Sequence, residues 1–245
     1  MRYIPSLMAY RSVVHATFAR ARLLPLIMGC CFWRPVFALD LDIRSSSASL
    51  LDFSFLIDHS TVDLTTDNTL IETNINRVGV LTIDVPESGP QFGLALGYAY
   101  GDFNNNPLFE PNDMDGWYIG ILARGVLYDS GNMAVTMEGR YIYQDISGGD
   151  ESKDVSLSWN EYALNVTLHM AVTGTLRLVV APVYGGVDTT YRERGTVNQT
   201  VKMDSDNNAG LLAGLRYQLD PREFISLHYQ DAVFTGVLVQ FQRLF

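Results

Sequence analysis

The most restrictive feature of this chain is a period-two pattern in residues 89–103, GPQFGLALGYAYGDF. Large apolar or aromatic side chains occupy the even positions from Phe92 to Tyr100, and only glycine and alanine occupy the odd positions between them. Successive side chains of a β-strand point to opposite faces, so the pattern predicts a strand with one bulky face and one nearly empty face. A soluble sheet strand usually has a polar face, because that face meets water. Residues 92–100 have no polar face.

Similar alternation recurs throughout the chain after residue 39. No apolar run in that part approaches the roughly 20 residues that a transmembrane helix needs. Strands are therefore the predicted elements, at the spacing that transmembrane β-strands show. The ten predicted strands cover residues 51–59, 71–84, 91–102, 116–128, 132–145, 155–172, 175–189, 208–219, 222–231 and 234–245.

The connections between the predicted strands alternate in length. Tight turns follow the second, fourth, sixth and eighth strands (PESGP, DSG, TG and DP), whereas long polar loops follow the third, fifth and seventh (NNNPLFEPNDMD, SGGDESKD and YRERGTVNQTVKMDSDN). Outer-membrane barrels have short periplasmic turns and long external loops. The predicted fold is an all-β, antiparallel, up-and-down transmembrane β-barrel of about ten strands, with eight as the alternative count. An even count places both termini in the periplasm. In such a barrel the apolar faces turn outward to lipid and the polar or small faces turn inward. A soluble lipocalin-like barrel or a sandwich would instead require the Phe, Tyr, Leu and Val faces to turn inward.

The C-terminal strand carries a second pattern. Val237, Val239, Phe241 and Phe245 alternate up to a terminal aromatic residue, with Arg243 interrupting the series. This resembles the assembly signal of bacterial outer-membrane barrels, and the overall plan resembles the small OmpA- and OmpW-like barrels of Gram-negative bacteria. The resemblance implies two kinds of partner: the barrel-assembly machinery, and the lipid and lipopolysaccharide of the outer membrane.

The N-terminal segment has the features of an export signal. It combines a basic n-region, the apolar run LLPLIMGCCFW at residues 23–33, and small residues at the −3 and −1 positions of a cleavage site after Ala38. We predict a signal peptide over residues 1–38 and a barrel over residues 39–245. Both cysteines, Cys30 and Cys31, lie in the signal, so the mature barrel would contain no disulfide or thiolate site. The run from Ile27 to Cys30 also resembles a lipobox, the alternative interpretation.

Charge excludes one class of function. All 27 acidic residues follow position 38, whereas five of the 17 basic residues precede it, which leaves the predicted mature chain with a net charge of −15. Nucleic-acid binding depends on clustered Lys and Arg and is therefore not expected. No cofactor and no metal site are predicted.

Alternation also assigns charged side chains to the barrel interior. Inside a barrel of eight to ten strands, side chains fill most of the space, and buried charges must pair. These residues therefore predict either a salt-bridged plug in a structural barrel or a narrow porin-like passage for small solutes. The predicted set is Arg124, Glu138, Arg140, Glu161, His169, Arg177 and Arg216.

Two further functions remain open from the sequence. A lipid-modifying enzyme would need a histidine near an acid or serine, and His228 or the neighbours Asp58, His59 and Ser60 supply the candidates. Alternatively, acidic loops would bind cations, lipopolysaccharide or a protein partner. The loop residues that support this alternative are Glu110, Asp113, Asp115, Asp150, Glu151, Asp154, Asp204 and Asp206.

Overall fold

The computed structural model describes residues 50–245, except 67–68, 87–88, 104–112, 151–152 and 196–197. The predicted signal peptide, its cleavage site and both cysteines lie outside the described residues. Within the described ranges, no helix has the length and apolar character needed to cross a membrane. The described residues form eleven strands: β1 (Leu50–Thr66), β2 (Thr69–Val85), β3 (Gln91–Phe103), β4 (Met114–Asp129), β5 (Met133–Asp150), β6 (Lys153–Ala171), β7 (Leu176–Gly195), β8 (Gln199–Ser205), β9 (Ala209–Asp220), β10 (Glu223–Asp231) and β11 (Thr235–Leu244).

Ten of the described strands form a closed antiparallel ring. Each of β1 to β6 pairs with the strand that follows it in the chain. β7 pairs with β9, β9 with β10 and β10 with β11, and β11 pairs back onto β1. At the closing seam, the backbone N–H of Leu51 donates to the carbonyl of Phe245, and the N–H of Phe245 donates to the carbonyl of Leu51. The predicted barrel and its ten-strand count are confirmed. We call the end where Leu51 meets Phe245 and where the short turns lie the terminus end, and the opposite end the loop end.

The eleventh strand corrects the sequence interpretation. Residues 191–207 were predicted to be a loop, but β7 extends to Gly195 and turns back as β8. The first half of β7 pairs with β9, its second half pairs with β8, and β8 reaches β1 through Leu64 and Ser205. Alternation explains the strand, because Val201 and Met203 turn inward while Thr200 and Lys202 are exposed. The predicted loop between β5 and β6 is likewise mostly strand.

The outer face of the ring carries a continuous apolar band. Phe92 is 63% exposed, Ile121 59% and Leu227 53%. In β6 the band runs from Tyr162 to Met170, which corresponds to about 26 Å along the strand and about 20 Å across a tilted wall, close to the apolar height of outer-membrane barrels. Water would penalise such a surface, whereas hydrocarbon favours it, and a closed ring leaves no strand edge exposed to lipid. The chain is therefore an outer-membrane β-barrel.

The polarity of the two faces reverses near the middle of the long strands. In β6, Leu157 and Trp159 point inward and are fully buried, while Ser156 and Ser158 lie on the outer face. Beyond Glu161 toward the terminus end, the outer face becomes apolar and the inner face polar. The predicted apolar-outward arrangement is thus correct in the band and wrong at the loop end. At the loop end the wall extends beyond the lipid. Its apolar side chains therefore point inward and its polar side chains face water, as in soluble proteins.

The empty inner face of β3 has a specific occupant. Gly79 and Gly97 are opposite in the β2–β3 register, and Gly97 is opposite Tyr118 of β4. A Cβ atom on Gly97 would lie 2.5 Å from a ring carbon of Tyr118 and 2.4 Å from the carbonyl oxygen of Val78. The two glycines therefore make room for an inward tyrosine from the neighbouring strand.

We expect Gly97→Ala to destabilise the barrel by about 1–3 kcal/mol, because the added methyl group overlaps backbone atoms that cannot move independently. Gly125→Ala in β4 is the matched control, since a Cβ atom there meets nothing within 4 Å. Urea unfolding in detergent micelles, followed by the heat-dependent gel shift of folded barrels, measures both. Equal stability of the two variants would contradict the packing argument.

Candidate functional site

A group of buried charges crosses the barrel interior at mid-height. Nη1 of Arg77 lies 2.8 Å from Oε2 of Glu161 and 3.6 Å from Oδ2 of Asp58, and its Nε donates to Oε1 of Gln144 at 2.9 Å. Nη2 of Arg140 lies 3.0 Å from Oε1 of Glu161. We call these five residues the central layer. Glu161 is fully buried and bridges two guanidinium groups, so its charge is compensated within the layer.

The strand order explains why this layer spans the ring. Asp58 and Arg77 are opposite in the β1–β2 register, whereas Arg140 and Glu161 come from the adjacent strands β5 and β6. In a ring of ten strands, β2 and β6 are separated by three others along the wall. The bond from Arg77 to Glu161 therefore runs across the interior rather than along the wall. A barrel of this size is narrow enough for two long side chains to meet.

The turn between β10 and β11 folds inward onto this layer. Ala232, Val233 and Phe234 are at most 5% exposed, although they form a turn at the loop end. The ring centroid of Phe234 lies 6.0 Å from that of Trp159, and Cζ of Arg77 lies 5.4 Å from the Phe234 centroid. An arginine over an aromatic face is attracted electrostatically by the ring. The turn is thus held by both apolar and cation–π contacts.

Apolar side chains fill the interior between the central layer and the loop end. They come from most of the strands and pack as one cluster with Trp159 and Phe234. Their near-complete burial indicates a packed core, which dispersion and the hydrophobic effect stabilise. The most buried of them are Val62, Leu64, Ile71, Ile75, Phe103, Met114, Ile146, Leu157, Val187, Tyr191 and Met203.

A second group of charges lies toward the terminus end. Nε and Nη2 of Arg124 donate to Oε2 of Glu138 at 2.9 and 2.8 Å. Nε2 of His169 is 3.4 Å from Oγ1 of Thr136, and Nη2 of Arg177 donates to the carbonyl of Gly131 at 3.1 Å. These groups lie closer to the short turns than the central layer does.

All seven residues that alternation assigned to the interior are in strands on the inward parity, but they divide between two levels. Arg140 and Glu161 belong to the central layer, and the other five lie toward the terminus end. The predicted set left out Arg77, Asp58 and Gln144 of the central layer, and the inward turn at Phe234 was not predicted. Arg77 shares parity with Ile75 and Leu81, so the apolar inner face of β2 concealed it. Alternation places Gln144 on the same face as Arg140, but the predicted set contained only titratable residues.

The histidines do not form a hydrolase-like arrangement. His59 lies on the outer face, where its Nδ1 is 2.6 Å from Oδ1 of Asn76, whereas Asp58 and Ser60 point inward. His228 points inward and packs over Gly214. Neither histidine is joined to a serine or an acid by a hydrogen bond among the described residues.

Two of the described acidic residues at the loop end, Asp113 and Asp115, have local partners. Oδ1 of Asp113 accepts a hydrogen bond from the hydroxyl of Tyr100 at 2.5 Å, and Oδ2 of Asp115 accepts one from Tyr98 at 2.5 Å. Within the described residues, no group of three or more His, Cys, Asp or Glu side chains could hold a metal ion. Glu110 and Glu151 lie outside the described residues, and the side chain of Asp150 is also outside them.

The C-terminal strand places its apolar series on the outer face. Val237, Val239, Phe241 and Phe245 alternate with the inward Gln240 and Gln242. Arg243, which interrupts the series, has local partners: its Nη1 is 2.9 Å from Oε1 of Glu223, and its Cζ is 5.2 Å from the Phe245 ring centroid. The interrupting charge is therefore paired.

No protein-family model matches the chain, and no curated protein matches it. Three of the similar solved structures are as follows. The beta domain of the Bordetella autotransporter BrkA is 13% identical over 82% of this chain and 100% of that one, with a TM-score of 0.49. The outer membrane protein OprG from Pseudomonas aeruginosa is 13% identical over 83% and 99%, with a TM-score of 0.45. The outer membrane protease OmpT from Escherichia coli is 7% identical over 81% and 95%, with a TM-score of 0.44.

We expect Glu161→Gln to destabilise the folded barrel by about 3 kcal/mol or more, because the buried guanidinium of Arg77 and the partly buried guanidinium of Arg140 lose the carboxylate that bridges them. Glu223→Gln is the matched control: it removes the exposed pair with Arg243, which contributes about 1 kcal/mol or less. Urea unfolding followed by tryptophan fluorescence compares the two. A loss in Glu161→Gln no larger than that of the control would show that the central layer is not a stabilising element.

Proposed function

We propose that this protein is a structural outer-membrane barrel whose interior is closed by the central layer. The observation that carries the proposal is the salt bridge between Arg77 and Glu161, which joins opposite sides of the wall. A porin-like pore keeps its interior polar and filled with water. Here charged side chains meet one another across the interior instead.

The apolar core at the loop end supports the same proposal. An aqueous path through this end would have to pass between side chains such as Leu64, Leu157 and Met203, each 0% exposed. Phe234 adds an aromatic ring directly above Arg77. Two different kinds of packing, ionic at mid-height and apolar above it, thus occupy successive levels of the interior.

Passage of small solutes is the second candidate, and one observation favours it. A cavity of about 100 Å³ lies beside the central layer, lined by Arg77, Arg140, Tyr118, His228 and Gln230 among others. That volume corresponds to about three water molecules. This cavity, which apolar side chains such as Leu56 and Ile142 also line, would become part of a pathway if the salt bridge across the interior separated.

The proposal assigns no catalytic role, since the described histidines lack the hydrogen-bonded acid or serine of a hydrolase. It includes two kinds of partner. The barrel-assembly machinery would recognise the outward series that ends at Phe245, and lipid and lipopolysaccharide would contact the apolar band. Recognition by the assembly machinery would be supported if outer membranes of cells contain urea-resistant, folded wild-type protein but little of a variant that lacks Phe245.

We expect the refolded wild-type protein to give no discrete conductance steps in a planar lipid bilayer. The double variant Arg77→Ala with Glu161→Ala removes the bond across the interior while Arg140 and Asp58 keep opposite charges. Steps that appear in this variant alone would locate the closure at the central layer.

The matched control is Arg243→Ala with Glu223→Ala, which deletes an equivalent pair from the outer surface. Steps in the wild type, with their size or ion preference altered by the interior double variant, would replace the structural proposal with a small-solute channel. Steps in the control variant would indicate that the barrel leaks for reasons unrelated to the interior.

A further inference from the structure

Three arginines meet inside the terminus end of the ring. Arg177 of β7 and Arg216 of β9 are directly opposite in register, and both belong to the inward face of their strands. Arg124 of β4 is close enough to interact electrostatically with Arg216. We call these three residues the arginine cluster. Like charges directly opposite on neighbouring strands destabilise a sheet, so this arrangement needs a compensating negative group.

The carboxylates of the protein compensate only part of this charge. Glu138 accepts two hydrogen bonds from Arg124 and is thereby committed to it. Asp52 attracts both Arg124 and Arg216, but its two carboxylate oxygens already accept hydrogen bonds from Ser54 and Gln242. Among the described interior residues of this end, three guanidinium groups face two carboxylates. One positive charge is therefore in excess.

The guanidinium of Arg216 is the group with spare donors. Its Cζ lies 4.1 Å from the ring centroid of Phe224, so an aromatic face supports one side of it. Its Nε is buried and has no hydrogen-bond partner among the described residues, and the same is true of Nε2 of His228, which interacts electrostatically with Arg216. A buried donor without an acceptor costs free energy, about 1–3 kcal/mol. An anion with several oxygen atoms would accept a hydrogen bond from Nε of Arg216, and also from Nε2 of His228 in the tautomer that carries the proton there.

Arg177 connects the cluster to the end of the barrel. It donates to the carbonyl of Gly131 in the turn between β4 and β5, and Asp129 on the same turn also attracts it. Asp129 is exposed to solvent and accepts a hydrogen bond from the N–H of Gly131, so water screens its charge. His169 lies in the field of all three arginines. The positive potential therefore extends from the interior toward the solvent at the short turns.

We propose that the arginine cluster binds a small oxyanion, a phosphate or a carboxylate, that enters from the terminus end. Guanidinium groups match the planar or tetrahedral oxygen arrangement of these anions and bind them through paired hydrogen bonds. The inward position, within a closed wall, selects a free solute rather than the headgroup of a bilayer lipid. The site lies on the terminus side of the central layer, so it does not depend on whether the barrel conducts.

The test is a titration of the refolded full chain in uncharged detergent with inorganic phosphate, at constant ionic strength set by chloride. We expect saturable stabilisation, measured as a rise in the unfolding midpoint with phosphate concentration. Phosphorus NMR line broadening of the same samples reports binding directly. Acetate in place of phosphate separates the two ligand classes: the anion that saturates at the lower concentration identifies the class.

Arg216→Gln is expected to abolish both the midpoint rise and the line broadening. Arg216→Lys is expected to weaken binding at least tenfold, because lysine keeps the charge but lacks the planar set of guanidinium donors. Arg222→Gln, an exposed arginine in the turn between β9 and β10, is the matched control and retains full binding. If Arg216→Gln does not fold, the comparison of Arg216→Lys with Arg222→Gln decides. Absence of a phosphate or acetate effect in the wild type, or an equal effect in Arg216→Lys, would overturn the proposal.

Discussion

The barrel depends on one constraint, which is that hydrocarbon cannot hydrogen-bond to a peptide group. Every strand that crosses the apolar band must therefore be paired on both sides, and β1 must find β11 although they lie at opposite ends of the described chain. Closing the ring fixes the register of every strand and with it the face on which each side chain lies. The central layer, the inward tyrosine at Tyr118 and the arginine cluster all follow from that register.

The same constraint applies only within the lipid, and the apolar face of the strands changes sides at the edge of the apolar band. Within the band, the inner face holds Arg124, Arg140 and Glu161, because lipid occupies the outside and polar groups must turn inward. Above it, Trp159 and Leu157 turn inward and serines lie outside. One strand, β6, thus has the side-chain orientation of a membrane barrel along half of its length and that of a soluble barrel along the other half. The central layer lies where the two regimes meet.

The sequence was informative where a single period describes a whole segment. The alternation from Phe92 to Tyr100 predicts its strand, its outward face and the space that Tyr118 occupies. It could not predict β8, because a short strand with Thr200 and Lys202 on one side resembles a polar loop until β1 and β7 are known to flank it. It could not predict the bond between Arg77 and Glu161 either, since alternation gives the face of a residue but not the distance across the ring. Phe234 was read as the start of a strand, and only tertiary packing turns it inward.

The closing seam also affects the order in which the barrel folds. The hydrogen bond from Gln240 to Ser54 joins residues 186 positions apart, so the seam unites the most distant parts of the described chain. Such contacts form late, because the entropy of a long loop opposes them until the rest of the sheet is in place. Until the sheet curls, Arg77 has no Glu161 to meet, and the apolar residues of the loop end have no interior to enter. Assembly of this protein is therefore an ordered process in which the last pairing completes the interior and the wall together.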